Sequence, residues 1–329
     1  MQKLKYLIKI ISHMNFKGFF ATIGEIHKKS RKSRIWLFFD IIYCGLKYQA
    51  GYIDYKAIHM YDLNAAQRDT HITRGRFNAF VKKYNDPKYA YLFFDKAKFN
   101  ETFAKYMLRD WLLLDGHNQA EFQEFLKKND EFIAKPVDGT NGKGVVKIKS
   151  DQANYQELMD NGQCLVEGAV KQCAEIAKLN PSSVNTLRIM TFYSDKGAKI
   201  VKTTIRIGNG GVVDNFGSGG MMTHINPDTH EIAFPAVDKK GEAYEIHPLT
   251  KIKFVGYKIP RLDEVWATCL EASAVVKEIR LVAWDVAITD KGICLIEGND
   301  FPGHDLYQHP IHFPDGYGSY PDFLAILKD

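Results

Sequence analysis

LVAWDVAITDKGICLIEGN, residues 281–299, has the pattern of a β-hairpin that carries carboxylates. Its first run is apolar except for Asp285, and a turn at residues 290–292 returns the chain. The second run ends in Glu297 and Asn299, which are two residues apart and therefore lie on the same face of a strand. We expect Asp285 and Glu297 to lie near each other across the strand pair, with Asn299 beside them.

Two carboxylates that converge in an apolar sheet repel each other, and burial removes the water that stabilises their charges. A divalent cation resolves that conflict, and two acids with one amide suit Mg²⁺ that shares its coordination with phosphate oxygens. The sequence therefore predicts a magnesium site formed by Asp285, Glu297 and Asn299. The structural alternative is a strand that ends in solvated polar side chains.

The composition is that of a folded protein with an uneven charge distribution. The 329 residues are 45% hydrophobic and 25% charged, and a chain of this length can bury a large core. Residues 1–50 contain ten Lys and Arg against two acids, a local charge of +8, whereas the whole chain carries +5. The basic character belongs to the N-terminal segment. Because it comes without a recognisable RNA or DNA module, we expect no nucleic-acid partner.

The cysteines indicate a reducing compartment. The chain has five, an odd number, and they form no CxxC pair. Buried thiols are a better interpretation of this pattern than a disulfide framework or a zinc site. We therefore expect a cytoplasmic protein.

The N-terminal segment MQKLKYLIKIISHM, residues 1–14, interleaves lysines with apolar residues at helical spacing. It has no separate apolar core or cleavage site, so it does not resemble a signal peptide. Such a helix either packs on the protein's own body or lies on the cytoplasmic face of the membrane as a peripheral contact. The other apolar run, residues 35–46, is too short to span a bilayer and contains Asp40.

The order of elements predicts an α+β protein with antiparallel sheets. Residues 1–88 are mostly helical in pattern, a short strand is expected over 89–94, and Asp95 caps a helix over 96–108. Turns are expected near Gly18, Gly45 and Gly51. Further helices are expected at 121–129, 151–160 and 263–278, and strands at 131–137, 144–149, 163–167, 186–193, 198–207, 212–215 and 282–297.

A glycine-rich turn joins the two strands of FIAKPVDGTNGKGVVKIKS, residues 132–150. Its three glycines allow positive φ, so that successive N–H groups can point at one anion, and Lys135 can add a full charge there. A strand follows where a Walker loop or a dinucleotide fingerprint needs a helix. Phosphate binding and an exposed hairpin turn both remain open on these residues alone.

Four motifs together resemble the ATP-grasp superfamily over roughly residues 90–310. They are a lysine after a strand (FFDK, Lys96), a lysine before the glycine-rich hairpin (Lys135), an acid at a strand end between lobes (CLVEGAV, Glu167) and the metal acids of the opening hairpin. LNPSSVNTLRIMTF (179–192) and GYIDYKAIHMYDLNAAQRDTHIT (51–73) most resemble the sugar-transfer-associated ATP-grasp group of polysaccharide clusters.

The resemblance implies an ATP site. The two lysines would contact the phosphates, loop 139–144 would close over them, the backbone of 167–170 would bind the adenine edge, and Glu175 would bind the ribose. The implied nucleotide residues are Lys96, Lys135, Gly139, Thr140, Asn141, Gly142, Lys143, Gly144, Glu167, Gly168, Ala169, Val170 and Glu175. Lys96, Lys135 and Glu167 also have ordinary surface alternatives.

A further resemblance, to the ribosomal-protein glutamate ligases of the same superfamily, lies in residues 203–225. Arg206, Asn215 and Gly219-Gly220 stand in the same order, and an arginine here can stabilise a transferring phosphoryl group or an acyl phosphate. Those ligases have a basic residue before the glycine pair, where this chain has Ser218, so the resemblance does not identify the acceptor.

Further candidates lie on a strand and in a loop. Arg188 either points into the same cleft or pairs structurally with an acid, and His304 and His309 follow the metal strand as acceptor candidates or surface histidines. The predicted catalytic residues are Arg206, Arg188 and Lys135. The predicted acceptor residues are Asn215, Ser218, Gly219, Gly220 and His304.

The resemblance implies an enzyme with a helical region over 1–88, a small lobe with a glycine-rich lid over 89–165 and a large lobe over 166–329. ATP with Mg²⁺, expected as two ions, would lie between the lobes. The implied reaction is carboxylate–amine ligation through an acyl phosphate, joining an amino acid to a uronic acid of a capsule or O-antigen precursor, either free or lipid-linked. The alternatives are a kinase that phosphorylates a sugar hydroxyl and a nucleotide-binding protein without catalysis.

Overall fold

The computed structural model describes residues 15–138, 144–210, 219–304 and 308–328. Contacts divide the chain into two compact units. The helical unit contains the chain up to Phe80 together with Gly303–Lys328, and the sheet unit contains Val81–Pro302.

The helices of the described residues are α1 (Phe16–Ser30), α2 (Arg34–Tyr48), α3 (Tyr52–Ala57), α4 (Ala65–Asp69), α5 (Arg74–Tyr84), α6 (Tyr91–Phe94), α7 (Lys96–Thr102), α8 (Gln119–Lys128), α9 (Tyr155–Asp160), α10 (Ala174–Leu179), α11 (Leu262–Ser273) and α12 (Tyr320–Lys328). The strands are β1 (Trp111–Leu113), β2 (Glu131–Lys135), β3 (Val146–Lys149), β4 (Leu165–Gly168), β5 (Leu187–Ser194), β6 (Gly197–Ile207), β7 (Met221–His224), β8 (Ala236–Asp238), β9 (Ala243–Tyr244), β10 (Leu281–Thr289) and β11 (Gly292–Asn299).

The helical unit confirms the predicted helical N-terminal region. The expected turns at Gly18 and Gly45 were wrong, because both residues lie inside helices. Gly18 is in the first turn of α1, where its N–H donates to Oδ1 of the N-cap Asn15 at 3.0 Å. Inside this unit a buried ion pair joins α2 to α4, with Nη2 of Arg68 2.7 Å from Oδ2 of Asp40.

The sheet unit contains two antiparallel sheets, as the sequence predicted. The smaller has the order β1-β4-β2-β3 and the larger β11-β10-β5-β6-β7-β8-β9. The larger sheet packs on the apolar face of α11 and on the aromatic rings of α6 and α7. Its buried centre is Trp284, which is fully buried and whose indole N–H donates to Thr191 Oγ1 on β5 at 2.9 Å.

The expected strand over 89–94 was wrong. A 3₁₀ turn (Pro87–Tyr89) and α6 occupy this segment, because Asp86 caps the chain by accepting from Lys88 N–H at 3.0 Å. The aromatic residues then pack as a helix against Phe103 and Trp284 instead of pairing in a sheet.

The predicted cap at Asp95 is confirmed, because its side chain accepts from two N–H groups of α7. That helix ends at Thr102, earlier than the expected residue 108, and a 3₁₀ turn (Ala104–Tyr106) continues the chain. The sequence analysis also missed the three-residue strand β1, which pairs with β4.

Candidate active site

Three predicted site residues occupy adjacent strands of the larger sheet. On β10, Asp285 is directly opposite Glu297 of β11 on one side and Arg188 of β5 on the other. Directly paired residues of neighbouring strands project from the same face. Asn299, two residues beyond Glu297, is opposite Ala283 and therefore shares that face.

Two arginines hold the Asp285 carboxylate, which is 2% exposed. Arg188 donates from Nε to Oδ1 and from Nη2 to Oδ2, both at 2.7 Å. Arg206, on β6, donates from Nη1 to Oδ2 at 2.7 Å. Burial alone would raise the pKa of Asp285, but the two guanidinium charges outweigh it and hold that pKa below its ordinary value. The predicted catalytic arginines and the predicted metal ligand thus form one cluster.

A β-bulge places Glu297 at the edge of this cluster. The register between β10 and β11 shifts after Asp285, so that Val286 is opposite Leu295 and Ile296 is the extra residue. The Glu297 carboxylate is 47% exposed, and its Oε1 lies 4.0 Å from Nη2 of Arg188. Desolvation, followed by the neighbouring charge of Asp285, raises the pKa of Glu297. The pKa values of the two neighbouring carboxylates are thus shifted in opposite directions.

The donor set of this cluster fits a hard divalent cation. Two carboxylates and one carboxamide supply oxygen ligands, which Mg²⁺ prefers. The Nδ2 atom of Asn299 is buried and has no hydrogen-bond partner among the described residues. A cation would also offset the desolvation and the repulsion from Asp285 that raise the pKa of Glu297.

The fit depends on an amide ligand. Within the described ranges, no group of three or more His, Cys, Asp or Glu side chains is arranged to hold a metal ion. The three candidate residues supply only two carboxylates, and the arginines already occupy Asp285. Glu297 is therefore the ligand of this set with the most coordinating capacity left.

A second cluster, around Glu167 on β4, carries the predicted phosphate lysines. Nζ of Lys135, on β2, is 2.9 Å from Oε2 of Glu167. Burial would raise the pKa of Glu167, but Arg109, Lys135 and a hydrogen bond from Asn100 hold it at about 2. This carboxylate is therefore a fixed anion inside the small sheet.

Lys96 completes the second cluster. It is the first residue of α7 and lies beside the end of β2, where its Nζ donates to Val137 O at 3.4 Å. Desolvation and the positive charge of Lys135 lower the pKa of Lys96, while Glu297 acts in the opposite direction. Because Lys96 interacts with Lys135 and with Glu297, the two clusters adjoin each other. A polyphosphate there would add a negative charge beside two neighbouring lysines.

Arg109 connects the two sheets, and the sequence analysis missed it. Its Nε donates to Glu167 Oε2 at 3.0 Å, its Nη2 donates to the carbonyl of Ile296 at 3.1 Å, and its Nη1 donates to the carbonyl of Leu295. These carbonyls belong to the bulge that positions Glu297. No local motif marks this arginine, which lies in an irregular segment before β1.

In the segment expected to bind adenine, two backbone N–H groups already donate hydrogen bonds within the protein. The N–H of Gly168 donates to Asp110 O at 2.8 Å, and the N–H of Ala169 donates to Glu131 O at 3.0 Å. Glu167 is paired in the middle of the small sheet between β1 and β2. An adenine base would therefore have to contact the backbone carbonyls of this segment or Val170. These are fewer groups than the resemblance implied.

The remaining predicted nucleotide and acceptor residues are scattered. Gly144 has φ +72°, and a Cβ there would lie 2.9 Å from Cγ of Pro136, so the position requires glycine. Glu175 is exposed in the first turn of α10, and Gly219 has φ +98° just before the buried Gly220. Gly139, Thr140, Asn141, Gly142, Lys143, Asn215 and Ser218 lie outside the described residues.

His304 belongs to the helical unit and is buried there. Its Nε2 lies 2.6 Å from Oδ1 of Asp54, whose Oδ2 accepts from Arg74 N–H at 3.0 Å. His304 is thus neither a surface histidine nor unpaired. Its role as an acceptor contact stays a prediction, as does that of His309, which caps the 3₁₀ turn at residues 310–312.

Comparison with known proteins adds a family. A family model described as sugar-transfer associated ATP-grasp matches residues 76–310. No curated protein sequence matches the chain.

Solved structures similar to the chain include three ligases. D-alanyl-alanine synthetase A from Vibrio cholerae is 14% identical to this chain and has a TM-score of 0.41. The match covers 71% of this chain and 63% of the synthetase chain. D-alanine-D-alanine ligase from Helicobacter pylori is 12% identical with a TM-score of 0.44, and the match covers 77% of this chain and 65% of the ligase chain. The ATP-grasp ligase PsnB, complexed with a phosphomimetic precursor variant, Mg and ADP, is 12% identical with a TM-score of 0.40. The match covers 77% of this chain and 64% of the PsnB chain. The chain spans less than two thirds of the length of each.

Proposed function

The chain belongs to the sugar-transfer associated ATP-grasp family, and from this premise we propose that it is an ATP- and Mg²⁺-dependent carboxylate–amine ligase. The observation that carries the proposal is the row Arg206, Arg188, Asp285 and Glu297 across four neighbouring strands. The row combines paired cations with a carboxylate that retains coordinating capacity. Phosphoryl transfer to a carboxylate needs this combination, because it concentrates negative charge at one place.

The chain's own residues would act by positioning and by neutralising charge. Lys96 and Lys135 would bind the nucleotide phosphates, since each is a cation at the edge of the second cluster. Arg206 and Arg188 would stabilise charge on the transferring phosphoryl group, and their shared contact with Asp285 fixes their orientation. No nucleophilic side chain is required.

Glu297, Asp285 and Asn299 would hold magnesium. Bound Mg²⁺ would supply charge neutralisation for the nucleotide phosphates. A bound cation would favour the ionised form of Glu297 and would thereby oppose the effects that raise its pKa. The Asn299 side chain, with its buried amide nitrogen, would contribute its oxygen.

The proposed reaction has two steps. A carboxylate oxygen of one substrate takes the γ-phosphoryl group of ATP, and ADP leaves. The amine nitrogen of the other substrate attacks the acyl carbon, the C–O bond to phosphate breaks, and phosphate leaves with the electron pair. The nitrogen gives its proton to solvent, and an amide remains. ADP and free phosphate therefore appear in equal amounts.

The substrates we propose are a uronic acid of a capsule or O-antigen precursor and an amino acid. The support is the association of the family with sugar transfer. The acceptor side would include Gly219 and Gly220, along with Asn215 and Ser218. The precursor is either free or lipid-linked, and a lipid-linked precursor would favour a peripheral position of the enzyme on the cytoplasmic face of the membrane.

The test is a product analysis with ATP, Mg²⁺, a panel of uronic acids and a panel of amino acids. ADP and free phosphate are followed together, and amide formation is followed by mass spectrometry. Equal release of both that requires both substrates establishes a ligase. ADP with a phosphorylated sugar and no free phosphate establishes a kinase and overturns the acyl-phosphate route.

The matched variants are Glu297→Gln and Glu121→Gln. Glu297→Gln removes a charge from the row and should reduce turnover at least about a hundredfold. Glu121 is exposed on α8, and its variant should keep normal turnover. Binding of Mn²⁺ to the protein without nucleotide, followed by paramagnetic resonance, gives a second readout and should be weakened only by Glu297→Gln.

A further inference from the structure

The outer face of α2 is apolar and exposed. Ile35, Phe39, Ile42 and Leu46 recur every three or four residues, so they line one face of the helix. Ile35 is 72% exposed and Phe39 is 64% exposed. The opposite face of α2 packs in the core of the helical unit, so both sides of this helix are hydrophobic. An amphipathic surface helix has a polar outer face, and α2 does not.

Aromatic side chains extend this surface to α1. The ring of Phe20, which is 57% exposed, stacks on Phe38 at 6.3 Å, and Phe38 contacts Phe39 at 5.3 Å. We define the outer patch by its exposed members: Phe16, Phe20, Ile35, Trp36, Phe39, Ile42, Tyr43 and Leu46. Such a concentration exceeds the single exposed apolar residues that are normal on a protein surface.

Cations lie along the edge of the outer patch. Nζ of Lys32 lies 5.2 Å from the Trp36 ring, and Nζ of Lys47 lies 5.5 Å from the Tyr43 ring. Around the turn between α1 and α2 the exposed basic residues are Lys28, Lys29, Arg31 and Arg34.

Of the two lysines beside the rings, Lys32 pairs with Asp62 at 3.1 Å, and Lys47 donates to the Tyr43 hydroxyl at 3.0 Å. Residues 15–50 hold two acids, and both are engaged elsewhere in the helical unit. Glu25 pairs with Lys56, and Asp40 pairs with Arg68. The positive charge at the edge of the outer patch therefore comes mainly from the exposed residues Lys28, Lys29, Arg31 and Arg34, while the centre of the patch is apolar.

We propose that the outer patch binds the surface of an anionic phospholipid membrane, with α2 lying in the plane of the interface. Apolar side chains would enter the acyl boundary, Trp36 and Tyr43 would sit at the headgroup level, and the lysines would reach the phosphates. With its 15 residues, α2 is about 22 Å long, shorter than the hydrocarbon core of a bilayer. In the part of the chain that the structure describes, no helix is long and apolar enough to cross a membrane.

The charge pattern favours lipid over a protein partner. A membrane of anionic lipids offers apolar depth directly beneath a layer of phosphates, and the outer patch matches both layers at once. The surface belongs to the helical unit, whereas the proposed catalytic row belongs to the sheet unit. The inference therefore goes beyond the ligase proposal and can fail or succeed separately from it.

The test is flotation of the full-length protein with vesicles of phosphatidylcholine alone or mixed with phosphatidylglycerol. We expect binding to the mixed vesicles, weakened by high salt, and little binding to the neutral ones. Phe39→Asp should reduce binding at least about tenfold, because it removes an aromatic group that would enter the membrane and adds a charge that anionic lipids repel. Leu249→Asp, at a residue 58% exposed in the sheet unit, is the matched control and should bind like the wild type.

Three results would overturn the proposal. The first is equal flotation of Phe39→Asp and wild type while circular dichroism shows both folded. The second is loss of binding in Ile8→Asp but not in Phe39→Asp, which would assign binding to residues 1–14. The third is a dimer in light scattering that Phe39→Asp dissociates without any vesicle binding, which would assign the surface to a second copy. Since Phe39 is 64% exposed, its variant should retain the wild-type thermal midpoint.

Discussion

Arg188 and Asp285 form a bidentate ion pair between neighbouring strands, with Nε and Nη2 of the arginine each 2.7 Å from a different carboxylate oxygen. Arg206 adds a third contact to the same carboxylate. The pair is almost completely buried, so its charges interact strongly and would be costly to separate. This carboxylate is therefore a fixed structural centre of the site as well as a candidate ligand.

Asp285→Asn should destabilise the protein severely. The amide lacks the charge that the two buried arginines face, and the expected loss in unfolding free energy is about 3–5 kcal/mol. Urea denaturation measures it. Asp195→Asn is the control, because Asp195 also pairs with an arginine (Arg280, 3.2 Å) but is 90% exposed, and its loss should stay under about 1 kcal/mol. Equal losses in both variants would contradict the assigned role of burial.

Glu167→Gln should change how stability depends on pH. The pKa of Glu167 in the folded protein is about 2, below its ordinary 4.5, so the stabilisation by its charge is present above pH 4.5 and is lost as pH falls toward 2. The stability advantage of the wild type over the variant should therefore shrink by about 3 kcal/mol across this range. Urea midpoints measured between pH 2 and 6 test this, and a constant difference would count against it. Glu124→Gln, at a 63% exposed residue, should show a much smaller change.

Lys96→Met should weaken nucleotide binding without unfolding the protein. A phosphate contact from this lysine would be a charge-assisted hydrogen bond, and its loss should weaken ADP binding about ten- to a hundredfold. Calorimetric titration measures the affinity. Lys98→Met is the matched control, since Lys98 lies on the same helix but is exposed and pairs with Glu101 at 2.9 Å. Similar affinities of the two variants would remove Lys96 from the phosphate site.

Gly298→Ala should strain the strand that carries Glu297 and Asn299. The new Cβ would lie 2.9 Å from a carbon of Phe99 and 3.0 Å from one of Trp284, and such overpacking costs about 1–3 kcal/mol. Thermal unfolding should show the loss.

The control for this substitution is Gly24→Ala. Gly24 is inside α1, and apart from its chain neighbours and the adjacent helix backbone no heavy atom of the described residues lies within 4 Å of its added Cβ. Alanine should therefore stabilise the helix by about 0.5–1 kcal/mol. Destabilisation by Gly24→Ala, or none by Gly298→Ala, would contradict the packing described here.

Much of the fold was predictable from local patterns. The family and the α+β class with antiparallel sheets are confirmed, and the pairing of Asp285 with Glu297 follows from alternation along two strands joined by a short turn. The prediction of a strand over 89–94 was wrong. The aromatic residues of this segment are common in strands, but the cap at Asp86 and the packing on Trp284 favour a helix.

The sequence by itself determined the family of this protein and the residues of its carboxylate hairpin, because strand alternation and turn chemistry operate over a few neighbouring positions. Only the tertiary structure decided the partners of those residues. Arg188 meets Asp285 across 97 positions of sequence, and Arg109 meets Ile296 across 187. Such pairs depend on which strands become neighbours and on the depth to which each charge is buried, and no local pattern encodes either.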